Sequence, residues 1–142
     1  MDELDIRLAA FSSFILAQEK KDTANNFCRN PLSFLYFSNL KSYFKDYDDF
    51  IKVIITELSN IKTIWSPRRY TTHGGFHTPP HINLFANSST NLLHLKSIIL
   101  NELDKYYLKF EQEACSYIQK WPSYKNLKSW HVVLKKQGYQ SS

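Results

Sequence analysis

Between Trp65 and Asn87 the chain carries three of its five prolines (Pro67, Pro79, Pro80) and two of its three glycines (Gly74, Gly75). Proline lacks the amide a helix interior needs and collides with the preceding turn, while paired glycines are costly to order in a helix. A continuous helix through this stretch is excluded. The local pattern predicts a loop with a short extended piece near Ile82-Asn83-Leu84-Phe85.

On either side of this break the apolar residues are periodic. Leu4, Leu8, Phe11 and Ile15 step by four, three and four, which predicts a helix from Leu4 to about Gln18. The polar run from Lys20 to Asn26 reads as a connector. Asn30-Pro31 then offers a helix start, with Asn as cap and Pro at the first helical position. Leu32, Leu35, Tyr36, Leu40 and Phe44 continue at helical period. Asp46, Asp48 and Asp49 place negative charge at the start of a further helix, whose stripe is Phe50, Ile54, Leu58 and Ile61, widened by Ile51 and Ile55.

After the break, Ser88-Ser89-Thr90 supply candidate caps. Leu92, Leu95, Ile99, Leu103, Tyr106 and Phe110 predict the longest helix, running to about Gln119 before Trp121-Pro122 stops it. Trp130-His131-Val132-Val133-Leu134 is aromatic and β-branched, hence a strand. Lys135-Lys136-Gln137-Gly138 reads as a turn or bulge, and Tyr139-Gln140 as the strand resumed. So short a strand needs a partner, and the expected one is the segment around 82–85.

Composition bounds the class. A chain of 142 residues with 43% hydrophobic and 22% charged residues is one domain's worth of globular material. No stretch approaches the roughly 20 apolar residues of a membrane span. The opening Met-Asp-Glu-Leu-Asp is acidic where a secretory signal is basic, so a cytoplasmic protein without a membrane partner is expected. Aromatic residues reach 15%, and the stripes Phe34, Tyr36, Phe37, Tyr43, Phe44 and Tyr106, Tyr107, Phe110 read as core or interface. Only three glycines argue against a turn-rich protein, or against having all of one.

The net charge of +5 permits an anionic partner without requiring one. Arg68-Arg69-Tyr70 and Lys135-Lys136 resemble fragments of a nucleic-acid surface. They are short, and the other basic residues sit beside acids, so a nucleic-acid partner is not expected.

His73, His77 and His81 recur every fourth residue. On a helix that spacing stacks three imidazoles, but Gly74-Gly75 and Pro79-Pro80 forbid the helix, and no carboxylate lies between Leu58 and Glu102. No metal ligand is assigned. No nucleophile elbow, phosphate-binding loop or dinucleotide fingerprint is present, so no catalytic residue is assigned either. Cys28 and Cys115 form no CxxC pair and read as reduced thiols, with Glu111 and Glu113 holding Cys115 unreactive.

The order of segments in the second half carries a resemblance. Trp65-Ser66-Pro67 is followed by the run from Thr71 to Thr78, then Asn83-Leu84-Phe85, then a long helix ending near Tyr106-Tyr107. Leu127 to Leu134 and Gly138-Tyr139-Gln140 come last. From Asn30 to Ser142 this resembles the Fe(II)/2-oxoglutarate-dependent oxygenases found at the C-terminal end of tetratricopeptide-repeat proteins. Their pattern has an N-L-F segment, a helix, and W-x-V-x-L-x-x-x-G-x-Q leading into a metal-binding H-x-H-P strand.

The resemblance implies a double-stranded β-helix, or jelly-roll, with Fe(II) and 2-oxoglutarate as cofactors of complete relatives. It runs out at Gln140-Ser141-Ser142, where the first metal ligands are due, and no residue here maps onto the iron ligands or the 2-oxoglutarate arginine. The five histidines (His73, His77, His81, His94, His131) all precede that strand and do not replace them. The expectation is an incomplete, inactive oxygenase that needs no cofactor. Asn83 and Gln140 are the pocket-lining, cofactor-side candidates, since each amide both donates and accepts.

The expected fold is mainly α with minor β: four principal helices and two or three short strands that open a jelly-roll. Residues 1–29 form a helix and connector, and 30–142 the incomplete oxygenase-like domain. Its uncovered strand awaits a protein partner or a missing C-terminal sheet, and the substrate is unknown. The alternatives are a non-catalytic helical protein-binding module and a small basic nucleic-acid binder.

Overall fold

Caps and aromatic anchors set where the elements of this chain begin. The computed structural model describes residues 3–19, 28, 30–66, 71–86 and 88–141. They form a mixed α+β arrangement: α1 (Glu3–Gln18), α2 (Tyr47–Ser59), β1 (Ile64–Trp65), β2 (Thr72–His77), α3 (Thr90–Phe110), α4 (Ser116–Gln119) and β3 (Val132–Gln140). The strands make one open antiparallel sheet in the order β1-β2-β3, and no jelly-roll is formed among the described residues. Among these residues no helix is long and apolar enough to cross a membrane. The connector from Lys20 to Asn26 and the Arg68-Arg69-Tyr70 cluster lie outside the described residues.

The chain divides into two units, Met1–Ser38 with Leu100–Lys125 and Asn39–Ile99 with Asn126–Ser142. In the first unit the helix expected after Asn30-Pro31 does not form. Pro31–Phe34 makes a single 3-10 turn and Leu35 leaves it extended; across the unit boundary a second 3-10 turn occupies Leu40–Ser42. Local side-chain bonds compete with the helix here: Ser33 Oγ donates to the Asn30 carbonyl, Ser42 Oγ to that of Asn39, and the Lys41 N–H to Asn39 Oδ1. The extended stretch brings Tyr36 onto α3, where its hydroxyl donates to Glu102 at 2.8 Å and its ring meets Tyr106 edge-on.

The long helix also stops earlier than expected, at Phe110 rather than near Gln119. The chain turns through 111–115 and restarts as α4, which returns Tyr117 and Trp121 to the aromatic side of α3. Phe34, Tyr106, Phe110, Tyr117 and Trp121 form one ring cluster. Phe37, by contrast, is 86% exposed.

The second unit follows its local signals more closely. Asp46 caps α2, accepting from the Asp49 N–H at 3.2 Å. Of the three candidate caps before α3 the structure uses Ser89, whose Oγ accepts from the Leu92 N–H at 3.2 Å. Ser89 Oγ and Asn91 Nδ2 also donate to Glu57 of α2, and those bonds hold its carboxyl below its ordinary value. Phe44 stacks on Phe50, both meet His94, and Ile54, Leu84, Phe85, Leu92 and Ile98 are buried.

The expected strand partner is corrected. β3 pairs with β2, through the Gly74-Gly75 stretch read as loop, and residues 82–85 form no strand, with a turn at Leu84-Phe85. In that pairing Gly75 opposes Leu134 and Phe76 opposes Val133, then the register shifts so that His73 opposes Tyr139. The extra residues, 135–138, are the bulge that Lys135-Lys136-Gln137-Gly138 foretold, and Gln137 takes a left-handed φ of 70°. All three glycines of the chain meet at this one crossing. A Cβ on Gly75 would lie 2.7 Å from the Val133 carbonyl oxygen, and one on Gly138 2.6 Å from that of Gly74.

Candidate functional site

β2 ends at His77, and the chain turns away through Thr78, Pro79 and Pro80. Thr78, 2% exposed, holds that turn against the approach to β3. Its N–H donates to the His131 carbonyl at 3.0 Å. Its Oγ1 accepts from the His131 N–H at 3.0 Å and is hydrogen-bonded to Nδ1 of the same residue at 2.9 Å. Burial pushes the His131 imidazole below its ordinary pKa, so the ring in this knot is neutral at pH 7. Thr78→Val keeps the shape but leaves the His131 N–H unpaired. It is expected to cost about 2 kcal/mol in urea unfolding, and a cost under about 0.5 kcal/mol would show that the hydroxyl does not hold the turn.

A few residues on, Asn83 makes a second knot. Its Nδ2 donates to the Leu127 carbonyl at 3.1 Å. Its Oδ1 accepts from the N–H of Phe85 at 3.1 Å and of Ser129 at 3.1 Å, and from Ser129 Oγ at 3.0 Å. The Leu84 N–H adds a backbone bond to Ser129 at 3.0 Å. The 82–85 segment therefore does lie along the residues before β3, as a turn pinned by an amide side chain rather than as a strand.

Gln140 stands at the far end of β3 and donates from Nε2 to Thr72 Oγ1 at 3.3 Å. Asn83 and Gln140 line one cavity of about 640 Å³, with Thr72, Thr78, Lys128 and Trp130 among its other walls. That volume falls within the usual range of small-ligand pockets. A second hollow of about 430 Å³ shares Ile82 and Asn83 and is bounded by Glu57 and Leu92.

The lining sets what the larger cavity can do. It is built largely from the carboxylate-free stretch of sequence, and no Asp or Glu lines it. Hydroxyls, amides and imidazoles supply donors and acceptors, and Lys128 supplies an ammonium. Such walls complement a neutral polar or anionic molecule, while Trp130, 65% exposed, offers an indole face for its flat or apolar part. Orienting a ligand is within reach of this set. No carboxylate stands at the wall to take or relay a proton.

The three histidines at four-residue spacing do not converge. His73 and His77 sit on β2 and His81 in the following turn. His73 stacks on Tyr139 and bonds Ser141 through Nε2, and His77 Nδ1 is bonded to the Thr78 carbonyl. Among the described residues no group of three or more His, Cys, Asp or Glu side chains is placed to hold a metal ion. Lys135, read as part of a basic patch, lies over the rings of Trp65 and Phe76 at 5.2 and 5.5 Å.

Sequence reasoning missed Thr72, Thr78, Lys128 and Ser129, which reach the cavity only because β2 pairs with β3. The one local signal was the long absence of carboxylates. Compared with protein-family models, curated proteins and solved structures, the chain matches none.

Proposed function

We propose that this chain is the helical and opening-strand part of a domain resembling the Fe(II)/2-oxoglutarate-dependent oxygenases, acting by itself as a binding scaffold and not as a catalyst. The observation that supports this reading most is β3. It is a nine-residue strand on the edge of the sheet formed by the described residues, and it leaves Val133, Leu134 and Tyr139 exposed just after an exposed Trp130. An edge of that length with apolar side chains exposed is a template for further strands. In such a domain those strands complete a jelly-roll, and the cavity bounded by Asn83 and Gln140 lies beside them.

The residues present do not fit Fe(II). The donor set lacks a convergent histidine and carboxylate group among the described residues, so no step is derived through iron. No residue matches the family's 2-oxoglutarate arginine either. Titration of the chain with Fe(II) and 2-oxoglutarate is therefore expected to show no stoichiometric uptake and no succinate. Stoichiometric iron binding with succinate release would overturn the scaffold reading.

A second reading, a helical protein-binding module, is favoured by the exposed Leu32, Leu35 and Phe37 of the first unit. The transcript distinguishes the two. An in-frame His-x-His-Pro after the Ser142 codon supports the oxygenase-like domain, and a stop codon there in an intact gene supports the module.

A further inference from the structure

The charges of this chain are unevenly spread, and the larger cavity inherits the imbalance. From Ser59 to Asn101 and from Ala114 to Ser142 the sequence carries half of its 18 Lys and Arg and none of its 13 Asp and Glu. Every wall of the cavity of about 640 Å³ comes from these two stretches, within the second unit. Unbalanced positive charge around a recess raises the local concentration of anions. One ammonium stands at the wall itself, that of Lys128, which is exposed and has no carboxylate partner among the described residues.

The recess is framed by hydrogen bonds of its own. Ser129, between Lys128 and Trp130, is tied to Asn83 through its N–H and Oγ and to the Leu84 N–H through its carbonyl. His131, on the other side of Trp130, is bonded to Thr78. These bonds fix the backbone on both sides of the residue that carries the indole and beside the one that carries the charge. Trp130 is 65% exposed, and Pro79 and Pro80 add stiff apolar rings to the lining.

We propose that this cavity is a binding site for a small aromatic monocarboxylate. One ammonium matches one carboxylate. A doubly charged ligand leaves a charge unmatched in a partly desolvated recess, and a neutral one forgoes the bond to Lys128. Indole and proline rings suit a flat ligand, which also has less internal freedom to lose than a flexible chain. The inference rests on the reading of the chain as a binding scaffold, and the two are judged separately. Iron uptake with succinate release would sink that reading, whereas the titrations below concern the cavity alone.

Isothermal titration of the full chain with 2-naphthoate is the test. The expected result is saturable one-to-one binding with a Kd below about 1 mM. The uncharged 2-naphthamide and the aliphatic, doubly charged 2-oxoglutarate should each bind about tenfold more weakly or not at all. Lys128→Ala and Trp130→Ala should each weaken naphthoate about tenfold, and Lys128→Ala should also erase its advantage over the amide. Both side chains are exposed, so the urea midpoints of these variants should stay near that of the parent chain. Lys136→Ala removes an exposed cation that is not part of the lining and should leave the Kd within about twofold. Absence of saturable naphthoate binding, equal binding of the amide, a Kd unmoved by the Lys128 and Trp130 substitutions, or an equal loss in Lys136→Ala would overturn the proposal.

Discussion

Asn83→Ala is expected to cost about 3 kcal/mol of stability, among the largest effects of any single truncation in the second unit. Three bonds converge on Oδ1 and a fourth leaves Nδ2, so alanine strands two backbone N–H groups, a carbonyl and a hydroxyl at once. Groups at a half-buried site recover only part of their hydration, and shared partners lose more together than singly. Urea unfolding followed by tryptophan fluorescence reads the loss, because Trp130 is next to Ser129. Asn83→Asp keeps the acceptor and gives up only the bond to Leu127, so its cost should be nearer about 1 kcal/mol. Equal costs for the two variants would mean that the turn is held by packing. The resemblance makes Asn83 a pocket-lining amide, and the structure places it on the cavity wall with its own hydrogen bonds largely spent on that wall.

Gly138→Ala is expected to cost about 3 kcal/mol and to break the register of β3 beyond the bulge. The added Cβ would meet three backbone carbonyl oxygens, those of Gly74, Lys135 and His73, at 2.6, 3.0 and 3.1 Å. None of these is the movable end of a side chain, so relief requires the strands to part. Gly74→Ala is the informative companion. Its tightest contact is the Gly138 Cα, at 3.2 Å, but from a φ of 65°, and its cost should be about 1 kcal/mol. Hydrogen exchange at the β2–β3 amides separates the two, because only the first should lose protection at Tyr139 and Gln140. Retention of protection in Gly138→Ala would show that the crossing tolerates a methyl group.

These expectations also mark where sequence and structure part. The start of α2 was legible from its acidic run and that of α3 from its candidate caps, because charge and caps at a helix start act over about three residues; the structure adds that Asp46 is itself a cap and selects Ser89 of the three. The strand after Trp130 and its bulge were legible for a similar reason, through β-branched residues and a glycine a few positions on. The segment after Asn30 was misread although its apolar spacing is helical. There the bonds of Ser33, Asn39 and Ser42 to nearby backbone favour single turns, and Tyr36 gains a partner in Glu102 that no local pattern reveals.

The glycines show the same division. Gly74-Gly75 looked like loop punctuation, which is their commonest use. In this chain they are the interior of β2, where the backbone of β3 passes too close to Gly75 for a side chain and Gly74 takes a left-handed φ of 65°. Gln140 and Asn83 came forward by resemblance alone, and their shared cavity depends on that close passage.

What the sequence by itself determined are the elements set by neighbours within a turn or two: capped helices, the aromatic strand and the break between Trp65 and Asn87. Only the tertiary structure decided that the break holds a strand and that a carboxylate-free cavity opens beside β3. Caps and periodicity act through adjacent residues, whereas the approach of two backbones far apart in the chain leaves no local mark.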